Sequence, residues 1–264
     1  LFLYNFFPEL NSQIGAIAVT SAVILECTVA SIGLLTRRKP DLEVGRNRPS
    51  QRRILFFFIP LLFAALLPSV TFPLLNFAMA RSINPELAIT AFTLAFGVFS
   101  IMSIPANGIQ PVSLALFGLN ESPQFVRLFA VIIGVLTAIP IILLTLSNTA
   151  SEWVFGTVLG ADDAVKVMSI QALQILMLLP PWLALEQLYA AAIMSNKEPR
   201  GIVYINIGRL TLLLLLVFGS LFLDTTEGIL IGSGIMSLTL LAEAIFAVIF
   251  GRSAFSSLRS RYAN

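Results

Sequence analysis

The sequence has no histidine and a single cysteine, Cys27. Without histidine no Ser/His/Asp relay can be assembled. The Cys and His clusters that hold transition metals are missing too, so no metal site is expected. A lone cysteine inside an apolar run excludes a disulfide framework and leaves the redox compartment unread. No Walker-type glycine loop with its lysine occurs, so ATP is not expected to drive this chain and no cofactor is expected. The carboxylates are dispersed without catalytic spacing, and the expectation is of a protein that is not an enzyme. Charge is scarce as well: 11% of residues are charged, against about 25% in soluble domains. No secretory signal pattern is visible. The first residue is Leu1 rather than Met, and the chain is read as a fragment whose N-terminal part is missing.

What the chain has instead is apolar length. It is 57% hydrophobic with a mean hydropathy of +0.92, more apolar surface than a 264-residue soluble core hides but no burden in lipid. Seven runs are long enough to cross about 30 Å of hydrocarbon as helices: 14–36, 54–79, 87–116, 126–147, 165–195, 202–223 and 228–250. They are too long and continuous for barrel strands. The predicted fold class is an all-α polytopic membrane protein of about seven transmembrane helices. Pro105 and Pro111 interrupt the third run, and Pro180 and Pro181 the fifth. A proline removes a donor and clashes with the preceding turn, so both spans are expected to bend or break.

The charges that remain are sorted by sign. Residues 37–53 hold Arg37, Arg38, Lys39, Arg46, Arg48, Arg52 and Arg53. Placing this segment in the cytoplasm and alternating the spans puts 117–127, 196–201 and the C-terminal tail on the same side. Thirteen of the sixteen Lys and Arg then lie inside, as basic residues near membrane spans do. Arg81 and Lys166 fall outside and Arg209 falls within a span. The outside loops carry Glu86, Glu152, Asp162, Asp163, Asp224 and Glu227. The protein is therefore placed in the cell (inner, cytoplasmic) membrane with 37–53 and the C-terminus cytoplasmic. The linker has no interleaved aromatics, which excludes nucleic acid as its natural partner and leaves anionic lipid headgroups.

Two helices share a pattern. Residues 14–26 read IGAIAVTSAVILE and 231–243 read IGSGIMSLTLLAE, with Gly15 matching Gly232 and Glu26 matching Glu243 at an offset of 217. Both run from outside to inside under this topology, and five spans separate them. Parallel repeats of six spans produce that arrangement, as in transporters whose two lobes are related by an axis along the membrane normal. The expected domains are 1–36, the last helix of a truncated N-terminal lobe; 37–53, the basic cytoplasmic linker; 54–251, a complete C-terminal six-helix lobe; and 252–264, a cytoplasmic tail. The missing N-terminal lobe of the same chain is thus an expected partner.

Polar groups inside the spans are costly and mark candidate sites. Arg209 and Glu186 are the main ones. A guanidinium in mid-lobe suits a phosphate or carboxylate; equally, Arg209 can pair with Glu186 or Glu243, or snorkel to the inner interface. Asn107 and Gln110 sit between two prolines, where irregular backbone must line a cavity or protein. Gln171 and Gln174 share a helix face, and Asn76 can join the same vestibule. The substrate-binding set is therefore Arg209, Asn107, Gln110, Gln171, Gln174, Asn76 and Glu186. Interhelical amide bonds are the competing role for the amides. Glu26 and Glu243, recurring by the repeat, are assigned a structural intramembrane role. Trp153 suits the outer interface and Trp182 the interior of the bundle.

Four features resemble the multidrug/oligosaccharidyl-lipid/polysaccharide flippase superfamily, and within it the progressive ankylosis protein family. Pro73-x-x-Asn76-x-x-x-x-Arg81 closes the first helix of the lobe, LQILMLLPP spans Leu173 to Pro181, Arg209 lies early in its helix, and Gly232 and Glu243 keep their spacing. The likeness covers 54–250, and weakly 14–38. Glu186 departs from it, standing where family members often carry a basic residue. The resemblance implies two six-helix bundles rocking about a central cavity, and export of pyrophosphate, ATP or citrate-like anions. The reading is a secondary transporter exporting a small anionic, organic or phosphorylated solute. A flippase for a lipid-linked oligosaccharide or polysaccharide precursor is the first alternative, and a non-transporting membrane scaffold subunit the second.

Overall fold

The computed structural model describes residues 13–36, 67–119, 121–196, 200–222 and 227–261, with positions 55, 59 and 62. The basic linker 37–53, the first part of the 54–79 run, Lys197 and Asp224 lie outside the described residues. The chain divides into two units, 1–50 and 51–264.

In the first unit the described element is α1, Gln13–Thr36. Thr28 and Ser31 turn their hydroxyls back onto the carbonyls of Ile24 and Cys27, both at 2.7 Å. Such bonds return polar groups to the helix's own backbone and leave an apolar exterior. Glu26 is exposed on this helix, as is the free thiol of Cys27.

The second unit is helical, with no strand among its described residues. A 3₁₀ turn, Leu67–Val70, leads into α2, Thr71–Met79. There follow α3 (Pro85–Met102), α4 (Ile104–Asn107), α5 (Ile109–Gly118), α6 (Pro123–Leu146), α7 (Asn148–Ser151) with a π-helical turn Glu152–Val158, α8 (Asp163–Leu176), α9 (Pro180–Ser195), α10 (Arg200–Ser220) and α11 (Gly228–Arg261). Four of these, α3, α6, α10 and α11, are long and apolar enough to cross a membrane, and α8 with α9 forms a bent fifth. Their outward faces are apolar: Leu136, Leu143, Leu215 and Phe218 are all more than half exposed. Water would not tolerate so continuous an apolar surface, and lipid does. The chain has the architecture of an all-α, membrane-embedded protein.

Proline breaks two of the helical runs. Pro105 and Pro111 split the 87–116 run into α3, α4 and α5, hinged at Ser103 and Gly108. Pro180 and Pro181 end α8 at Leu176 and start α9 after a bend of 49°. At that bend the Leu179 N–H donates to Leu176 O at 3.0 Å rather than to Ile175 O. The released Ile175 carbonyl instead accepts from the Ser237 hydroxyl of α11 at 3.5 Å. Broken backbone inside a membrane protein needs such a partner.

The bundle is built around α11, which packs against α9, α10, α8, α2 and α3. Its interior is small residues and aliphatics, with Ala244 and Ala247 buried beside Ile235 and Leu240. Gly232 is a close-packing position: a Cβ there would collide with the thioether sulfur of buried Met79 on α2. Gly134 does the same for α6, where a Cβ would lie 2.8 Å from Pro181 Cα and 2.9 Å from Ala184 Cβ of α9. Thirty-four residues long, α11 continues to Arg261, beyond the run 228–250. At about 1.5 Å per residue it outreaches the hydrocarbon. Its last turns keep Ala254 and Leu258 buried and leave Arg252 and Arg259 exposed.

The acidic loops gather at one end of this unit. Ile83 bridges Glu227, and a cavity of about 760 Å³ is lined by both Glu86 and Asp162. Lys166, an exception to the charge sorting, lies here between Glu152 at 2.6 Å and Asp163 at 2.8 Å. Arg81, another, stacks over Phe77 at 4.9 Å. Each exception thus has a local partner. Trp153 is exposed on the π-helical turn at the same end. Trp182 departs from its expected place inside the bundle: it is 42% exposed, because the bend before Pro180 turns that position outward.

Candidate solute site

Arg209 sits near the middle of α10 and faces into the bundle. Its Nη1 lies 3.1 Å from Oε1 and 2.9 Å from Oε2 of Glu243 on α11. Its Nη2 donates to Thr71 Oγ1 of α2 at 3.1 Å. Only 12% of the Arg209 side chain and 11% of the Glu243 side chain remain exposed. Three helices are tied by one guanidinium, whose rigid planar fork suits such a junction. The sequence left Glu186 and Glu243 open as partners; the geometry selects Glu243. Glu186, on α9, accepts a hydrogen bond from Gln187 Nε2 at 2.7 Å.

Arg209 also lines a cavity of about 200 Å³. Thr71, Ser100, Ser103 and Asn107 supply the rest of its polar lining, and Phe72, Phe96, Phe99, Leu183, Met236 and Leu240 the apolar part. The rings of Phe72 and Phe96 meet edge to face at 5.0 Å, and Phe96 and Phe99 lie 5.7 Å apart. Ser103 is 1% exposed and its Oγ has no hydrogen-bond partner among the described residues. Asn107 and Phe72 are exposed and mark the mouth. The cavity owes its polar edge to the proline break: Ser103 and Asn107 sit at the hinges of α4, one turn apart. Their spacing beside Pro105 was the available signal for Ser103; nothing local singled out Thr71.

The other expected site residues do not all meet here. Gln110 Nε2 donates to the Met194 sulfur at 3.0 Å, joining α5 to α9. Gln171 lines a different cavity of about 320 Å³, with Asn84 and Glu227, at the acidic end. Gln174 is exposed one turn further along α8. Asn76 is half-buried, with its Oδ1 unpartnered. Arg209 and Asn107 are thus brought together, while Glu186, Gln110, Gln171, Gln174 and Asn76 are not among the residues that line that cavity. Among the described residues no group of three or more Asp, Glu, Cys or His side chains could hold a metal ion.

No family model, curated protein or solved structure matches the chain. The functional reading therefore stands on the geometry and on the resemblance of its motifs.

Proposed function

We propose that residues 54–251 form the C-terminal six-helix lobe of a secondary transporter that exports a small anionic organic solute, in a chain of seven spans with the linker and C-terminus in the cytoplasm. The observation that carries this reading is Arg209, a mid-helix cation at the wall of a cavity that opens at Asn107. A guanidinium has five N–H donors. Those facing Glu243 and Thr71 leave Nε–H and a second Nη2 hydrogen for another acceptor. An oxyanion entering the cavity would meet them in a place where water screens little.

The motifs resembling the ankylosis branch of the flippase superfamily support the same class of activity. A lipid-linked substrate has less support. The apolar groove between α10 and α11, about 310 Å³ and lined by Leu215, Gly219, Leu230 and Gly234, shares no residue with the Arg209 cavity, so headgroup and tail sites are not joined.

The test is efflux of labelled organic anions from proteoliposomes carrying the chain. Arg209→Gln together with Glu243→Gln should abolish efflux while the protein inserts and folds, because both charges of the pair leave together. Arg209→Lys should retain part of it, keeping charge but losing the fork. Wild-type efflux from the well-folded double variant would remove the anion site.

A further inference from the structure

We infer that the Arg209 cavity selects a small monoanion with an aromatic body, an aromatic monocarboxylate in chemical class, because one guanidinium already paired with a carboxylate, one serine hydroxyl unpartnered among the described residues and a wall of phenylalanine rings line a single small space. The inference rests on the anion-transport reading and narrows its substrate.

Charge is the first argument. Arg209 is already paired with Glu243. Among the described residues no second cation lines the cavity. A diphosphate or tricarboxylate would bring two or more further negative charges to a place whose one guanidinium is already paired with a carboxylate. Like charges in a poorly screened site repel strongly. A single carboxylate adds the least charge that still uses the free guanidinium hydrogens.

Shape and polarity set the rest of the molecule. About 200 Å³ lies below the roughly 300–1,000 Å³ of drug-sized sites, so the solute is small. Phe72, Phe96 and Phe99 already pack edge to face and tilted. Another ring can join that arrangement and gain both apolar contact and quadrupole complementarity. Ser103 is a polar counterpart in the same lining. A fully buried hydroxyl without a partner is costly unless a ligand or water supplies one. Its hydroxyl can donate to the carboxylate oxygen that Arg209 leaves free. Asn107, at the mouth, is placed for a ring substituent.

The experiment uses the purified 264-residue chain in detergent, heated with increasing benzoate, citrate or pyrophosphate at matched ionic strength. Benzoate should raise Tm in a concentration-dependent way, as a ligand bound only by the folded state does, and the two polyanions should not. Ser103→Ala removes an unpartnered hydroxyl, so its fold should be unharmed, while its benzoate affinity should fall about fivefold. Phe96→Leu keeps the apolar volume and should lose about five- to tenfold through the missing ring. Protection by citrate or pyrophosphate with benzoate inert would overturn the selectivity and leave anion transport standing. Benzoate binding unchanged in both variants, or absent while efflux of other anions persists, would overturn the site. Absence of binding together with absence of efflux for every anion would sink the transporter reading itself.

Discussion

Arg209 Nη1 and Glu243 Oε2 lie 2.9 Å apart although the residues are 34 positions distant and belong to different helices. The pair is nearly dry, and its second arm reaches Thr71. Removing one member of such a pair leaves an uncompensated charge and costs about 3–5 kcal/mol, whereas removing both costs far less.

Glu243→Gln alone is therefore expected to lower stability by a few kcal/mol. Arg209→Met with Glu243→Leu should recover most of the loss. A double-mutant cycle read by thermal unfolding in detergent checks this, and additive losses would mean the two side chains do not interact.

Gly232 and Gly234 differ in what lies over them. Gly232→Ala drives a methyl into buried Met79 and should destabilise by about 1–3 kcal/mol. Gly234→Ala, with nothing within 4 Å, should be neutral or stabilise by up to about 1 kcal/mol. Equal Tm values for the two variants would contradict the α2–α11 packing.

Orientation is tested by labelling in a Cys27→Ser background. Ala161→Cys at the acidic end should react with an impermeant thiol reagent in intact cells. Ser256→Cys, exposed on the last turns of α11, should react only after permeabilisation. The reverse pattern would invert the topology that the basic residues suggest.

The end of α11 is held by Asn196, whose Nδ2 donates to Ala254 O at 3.1 Å. Asn196→Ala should cost about 1 kcal/mol and speed amide exchange across residues 252–261. Unchanged exchange there would show that the burial of Ala254 and Leu258 suffices without the hydrogen bond.

Composition and period determined the helical, membrane-embedded class, because apolar length in lipid leaves helices as the solution for runs of this size. Proline positions determined where two of the runs break, since a missing N–H and a steric clash are local facts independent of neighbours. That is why the hinges beside Pro105 and Pro180 were legible. The partner of Arg209 was not. Its spacing to Glu186 or Glu243 says nothing about which helix faces it, and packing against α11 made the choice. The same holds for the amides. Gln171 and Gln174 share a face by helical period, but the packing of α8 puts Gln171 in a cavity with Asn84 and Glu227 and leaves Gln174 exposed. Thr71 carries no pattern of its own, and Ser103 only its spacing beside Pro105. They enter the site because α2, α4 and α10 converge on one volume, a fact of tertiary contact that no local spacing encodes.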